Sequence, residues 1–130
     1  MEGKLLSMKV DLSKDGISMI FRDYQQLILE CLWKLNKPTG TRELWDYVNK
    51  NLPKGQTISR TSVIFFTNDM VDLGILDWDD ETGKGGHHRK YYPILSESEI
   101  LERLRETIDT KFRAYKRENE VKWQKYCLNR

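Results

Sequence analysis

Ser59-Arg60-Thr61-Ser62-Val63-Ile64-Phe65-Phe66-Thr67-Asn68-Asp69-Met70-Val71-Asp72-Leu73-Gly74-Ile75-Leu76 is the stretch that decides the fold. Ser59 is a good helix N-cap, because its hydroxyl can accept from a first-turn amide that has no partner inside the helix. Val63, Phe66, Met70 and Leu73 recur at helical spacing and form one apolar face. Gly74 follows the last of them, where a left-handed C-cap is expected. The opposite face carries Arg60, Thr61, Ile64, Phe65, Thr67 and Asn68. A strand signal begins at once, since Ile75-Leu76-Asp77-Trp78-Asp79 alternates with period two.

Working outward, residues 80–88 contain Gly83, Gly85 and Gly86 and predict an irregular tip. Arg89-Lys90-Tyr91-Tyr92-Pro93-Ile94 is the returning strand, and Pro93 suits an edge position. Upstream, Asp23 with Gln26 has capping-box spacing and starts a helix. Its stripe is Tyr24, Ile28, Cys31, Leu32 and Leu35, and Asn36-Lys37-Pro38-Thr39-Gly40 ends it. A further helix, capped by Thr39 or Thr41, runs to about Asn51 with Leu44, Tyr47 and Val48 inward. Before all of these, Met8 to Leu12 alternates weakly, and Ser13 to Gly16 is a turn cluster. A short hairpin, an extended arm and a partly ordered tail are all compatible with residues 1–20.

Downstream, Ser96 and Glu99 form a strong capping box, and neither Gly nor Pro follows it. A helix of about 30 residues, some 45 Å long, is expected. Leu101, Leu104, Ile108, Phe112, Tyr115 and Trp123 lie along it at steps close to an eleven-residue period. A single small unit cannot cover such a stripe, so residues 96–130 read as a dimerisation element, with Asn119 fixing register. The alternative is that Leu101 and Leu104 pack on the chain's own first helix.

The expected fold class is therefore mainly α with a small β-hairpin (α+β): three helices, a two-stranded wing, and a long C-terminal helix. Residues 21–95 resemble winged helix-turn-helix transcriptional regulators. The resemblance rests on Ile58 through Leu76 as recognition helix, cap and first wing strand, and on His87-His88-Arg89-Lys90-Tyr91-Tyr92 as the far side of a wing. The penicillinase-repressor-like family is the nearest, with Leu32-Trp33 closing a helix ahead of Thr41-Arg42-Glu43-Leu44. PadR-like and MarR-like regulators share most of these features. The chain differs from penicillinase repressors in its acidic first wing strand, in a recognition helix with only Arg60 as a basic residue, and in a single long C-terminal helix.

That resemblance implies a DNA-binding regulator, most simply a dimeric repressor. The recognition helix, 59–73, would enter the major groove, and the wing, 77–92, would meet backbone or minor groove. The expected DNA contacts are Thr41 and Arg42, then Arg60, Thr61, Ser62, Phe65 and Asn68, then Lys84, His87, His88, Arg89 and Lys90. Arg60 suits guanine, and Phe65 or Ile64 suits a thymine methyl. The rival reading is a winged-helix module for protein contacts, favoured by outward Ile64 and Phe65.

The 130 residues carry 22 Lys+Arg and 20 Asp+Glu, a formal net charge of +2. Taken whole, that figure argues against nucleic acid. It conceals an acidic block at 77–81, a basic block at 84–90, and seven basic against two acidic residues in 110–130. Mean hydropathy is −0.69 and no apolar run suits a membrane span. Cys31 and Cys127 form no disulfide framework, so a reduced, cytoplasmic setting is expected. No phosphate loop, catalytic triad or metal-ligand spacing is present, so neither an enzyme nor a cofactor or metal is indicated. Trp33, Trp45 and Trp123 are the candidate lining of an effector pocket between the long helix and the winged unit, and no effector is identified.

Overall fold

The computed structural model describes residues 8–83 and 86–128, except for the side chains of 86, 87, 121, 123 and 125–128. A 3-10 turn, Gly16–Met19, precedes helix α1, Asp23–Leu35. Strand β1, Thr39–Gly40, leads into α2, Thr41–Asn51. Helix α3, Arg60–Asp72, is followed by β2, Leu76–Gly83, β3, Gly86–Pro93, and α4, Glu97–Leu128. The fold is α+β, and the described residues form four α-helices and one antiparallel sheet of order β1-β3-β2.

The helix ends follow local chemistry. Ser59 Oγ accepts from the Ser62 amide at 3.1 Å and caps α3 as expected. Gly74 takes a φ of 77°, and the Ile75 amide returns to Met70 O at 2.9 Å, which closes the helix and launches β2. Ser96 and Glu99 exchange both bonds of a capping box, at 3.2 and 3.1 Å. At α1 the box is shifted by one residue: Arg22 is the cap, and its amide donates to Gln25 Oε1 at 2.9 Å. Gln26 instead donates to Phe21 O at 2.9 Å.

The core lies where α1, α2 and α3 meet the base of the sheet. Ile28, Leu29, Leu32, Leu44, Val48, Val63 and Leu76 are fully buried. Leu29 enters this core although Leu35, assigned to the stripe, is exposed. Thr67 is also buried, contrary to its expected outward position, and its hydroxyl donates back to Val63 O and Ile64 O. That bonding satisfies the one polar atom the site would otherwise strand. Burial pushes the Cys31 thiol up to about 11, with Glu43 adding to the shift, so Cys31 is a packing residue.

Several long-range features depart from expectation. Neither Thr39 nor Thr41 caps α2, whose N-cap is Gly40. Thr39 is buried in β1, paired with Tyr91. β3 is thus the central strand, and Pro93 is tolerated because it sits at the last position, paired only with Leu76. The wing is regular further out than its glycines suggest, with the ladder continuing to Gly83 opposite Gly86. No strand forms at residues 8–12: Asp11 N donates to Met19 O at 2.7 Å, and 17–19 belong to the 3-10 turn.

α4 is 32 residues long, about 48 Å. Its first turns belong to the core: Ile100 and Leu104 are buried and Leu101 is half-buried. α4 packs on the 3-10 turn, and Trp33 Nε1 donates to Leu95 O at 2.9 Å just ahead of it. Ile100 falls outside the stripe read from spacing. Beyond Leu104, Ile108, Phe112 and Tyr115 are exposed, and the Trp123 side chain lies outside the described residues. No described helix is long and apolar enough to cross a membrane.

Leu32→Ala is expected to cost about 2–5 kcal/mol in urea unfolding, as for other fully buried leucines. Because the folded Cys31 thiol titrates above its ordinary value, stability should be intact below pH 9.0 and fall as pH rises toward about 11. Unfolding curves across that interval should be flatter for Cys31→Ala; identical slopes would exclude Cys31 as the source.

Candidate nucleic-acid interface

α3 is held against α2 by side chain to backbone bonds just before its first turn. Trp45 Nε1 donates to Ile58 O at 2.8 Å, and the Ile58 amide donates to Asn49 Oδ1 at 3.0 Å. These anchors fix the loop that enters α3, and so fix where Arg60 emerges. Trp33 and Trp45 are therefore each committed to a backbone carbonyl.

An open groove of about 790 Å³ runs between α3, the start of α2 and the wing. Arg60, Ile64 and Asn68 line it from α3, Gly40, Thr41 and Arg42 from the β1–α2 junction, and Glu81, Gly83, His88, Arg89, Lys90 and Tyr91 from the wing. Seven of the residues expected to contact DNA are thus gathered on one concave face: Thr41, Arg42, Arg60, Asn68, His88, Arg89 and Lys90. Three others are elsewhere. Ser62 is engaged with Ser59 in the helix cap, at 2.9 Å between hydroxyls. Thr61 and Phe65 are exposed on α3 but do not line the groove, and Phe65 keeps 66% of its surface open. Lys84 and the side chain of His87 lie outside the described residues.

The wing carries its own electrostatic compensation. Register sets Asp79 opposite Lys90, Asp80 opposite Arg89 and Glu81 opposite His88. Lys90 Nζ stands 3.6 Å from Glu81, a partly exposed pair of modest energetic worth. The Arg89 guanidinium lies 4.2 Å over the Trp78 ring. The same guanidinium donates to Asn68 Oδ1 at 3.2 Å, and Tyr91 Oη donates to that oxygen at 2.6 Å. Burial, then Asp77 and Asp79, holds the Tyr92 phenol above its ordinary value, so it stays neutral. Arg60 has no ion pair or hydrogen bond among the described residues, and none of their His, Cys, Asp and Glu side chains group to hold a metal.

Tyr91 is the residue that sequence reasoning passed over. It stands at the end of a basic run, and nothing local signals a bond to Asn68, 23 positions away.

No family model and no curated protein sequence matches the chain. Solved structures do. A protein of Methanosarcina mazei Go1, described as a possible transcriptional regulator, superposes with a TM-score of 0.58 at 11% identity, covering 78% of each chain. A Thermoplasma acidophilum protein, TA0346, described in like terms, gives 0.50 at 19% identity over 70% of this chain and 90% of that one. A PadR family transcriptional regulator of Eggerthella lenta DSM 2243 gives 0.46 at 16% identity, over 76% and 83%. The first two likenesses establish the fold, that of a winged helix. Neither singles out the penicillinase-repressor-like family.

Ser59→Ala should remove the α3 cap and lower the unfolding free energy by about 1 kcal/mol. Chemical denaturation checks this, and an unchanged midpoint would mean that Trp45 and Asn49 alone seat the helix.

Proposed function

We propose that the chain is a sequence-specific, double-stranded DNA-binding transcriptional regulator, a binding protein and not an enzyme. α3 occupies the major groove, while the wing at 77–92 lies on the adjoining backbone or minor groove. The observation that carries this reading is the convergence of Arg42, Arg60, Arg89 and Lys90 on one groove beside an exposed helix. Donors of this kind match phosphate oxygens and base-edge acceptors.

The regulator acts as a homodimer, most simply a cytoplasmic repressor that occludes a promoter. Ile108, Phe112 and Tyr115 are 37%, 69% and 58% exposed on α4, beside an apolar groove of about 560 Å³ shared with Met8, Val10 and Leu104. A second copy covers this face at little cost in polar desolvation, and a two-fold dimer suits a palindromic operator. The penicillinase-repressor-like and PadR-like assignments both remain within this reading.

A second reading, a winged-helix module for protein contacts, is favoured by the exposed ring of Phe65. Salt separates the two. A DNA binder should lose duplex affinity with a log-log slope of about 0.9 per phosphate neutralised. Absence of duplex binding at low salt would favour the protein-contact module.

Arg60→Ala is expected to weaken binding to a selected duplex by about 1–3 kcal/mol and to relax preference at one position. Unchanged site preference in a gel-shift series would remove Arg60 from base readout. For the dimer, Ile108→Glu with Phe112→Glu should sediment as a folded monomer. Retention of the dimer would place the interface off the distal α4 face.

A further inference from the structure

Asn68 has a bonding constraint that limits what it can recognise. Its Oδ1 accepts from Tyr91 Oη at 2.6 Å and from Arg89 Nη1 at 3.2 Å. A guanidinium only donates, so the amide atom facing Arg89 must be the oxygen and the side chain cannot be turned round. An amide oxygen has two lone pairs, and both are engaged. What Asn68 has left for a ligand in the groove is the Nδ2 group, which only donates.

This closes off one familiar use of asparagine in the major groove. Bidentate recognition of adenine needs the oxygen to accept from N6 while Nδ2 donates to N7. With Oδ1 committed, an adenine N6 amine would face a second donor. Cytosine offers only a donor, and thymine places a methyl beside its single acceptor. Guanine presents O6 and N7, two adjacent acceptors. Arg60, also a donor only, matches the same edge.

The two residues stand in one row. Arg60, Ile64 and Asn68 recur every four positions along α3 and all line the groove. Eight residues rise about 12 Å along a helix. At about 3.4 Å per base step, that span covers three to four base pairs. Ile64, 36% exposed between them, offers an apolar surface for a thymine methyl.

We propose that Asn68 is a guanine-selecting donor, oriented by Tyr91 and Arg89. With Arg60 it defines a half-site having two guanines about three to four base pairs apart. The proposal rests on the DNA-binding reading above and makes Tyr91 and Arg89 positioning residues for specificity.

Selection of duplexes from a random pool by the full chain tests it, using wild type, Arg60→Ala, Asn68→Ala, Arg89→Met and Arg89→Met with Tyr91→Phe. Wild type should enrich guanine at two positions with that spacing. Arg60→Ala should erase one preference, and Asn68→Ala should erase the other by at least about fivefold. Freeing Oδ1 should then admit adenine at the Asn68 position. Arg89→Met, an exposed change, should give a small shift, and the double variant a larger one that retains the buried Tyr91 ring as Phe.

Adenine preferred by wild type at the Asn68 position would overturn the proposal. So would an equal loss on all duplexes in Asn68→Ala with every preference kept, which would mark a phosphate contact. In both cases the DNA-binding reading survives. A wild-type chain that enriches no duplex at low salt overturns the proposal and that reading together.

Discussion

Tyr91 Oη donates to Asn68 Oδ1 across 2.6 Å, joining the central strand of the sheet to the exposed helix. Tyr91 is buried, with Thr39 beside it on one strand and Trp78 on the other. One residue therefore ties β1, β2 and α3 to the base of the wing. A phenol in that position contributes apolar area from its ring and direction from its hydroxyl. Together with Arg89 Nη1, which donates to the same oxygen at 3.2 Å, this bond directs the angle between α3 and β3, which apolar contact, being non-directional, does not. The shape of the groove depends on this junction.

Charge in the wing is arranged around the same junction. The acidic strand does not face the groove as a block, because register sets Asp79, Asp80 and Glu81 opposite Lys90, Arg89 and His88 of β3, while Asp77 faces Tyr92. Arg89 is removed from that ladder by Trp78 and Asn68, which hold its guanidinium over a ring and against an amide. The result is a wing near neutrality overall, in which Arg89 and Lys90 are oriented by their partners. Such a surface favours a few directed contacts over diffuse attraction.

What could be read from sequence was what short-range chemistry controls. Ser59, Gly74 and the Ser96–Glu99 pair each mark a helix end through bonds spanning a few residues, and each is found as expected. The row of groove residues on α3 also follows from its apolar face, since one side of the helix dictates the other. β1 was not legible: two residues carry no periodicity, and their pairing with Tyr91 and Lys90 joins positions some fifty apart. Thr67 was misplaced because back-bonding to Val63 O and Ile64 O lets a hydroxyl enter the core, which spacing cannot reveal. Leu29 and Ile100 are buried because neighbours approach from directions that a single stripe does not describe. For the site, the candidate bases were visible, but their internal partners were not, since these come from across the sheet.

The β2–β3 ladder pairs residue for residue from Leu76–Pro93 to Gly83–Gly86. Strand parity makes the length of this wing a quantised property. Inserting one residue near its base would invert every side chain beyond, turning Arg89 off Trp78. Insertions or deletions matched on both strands, in steps of two, keep the faces and leave the helical core untouched. Relatives of this chain can therefore drift in wing reach while keeping the groove, provided that they change by even numbers.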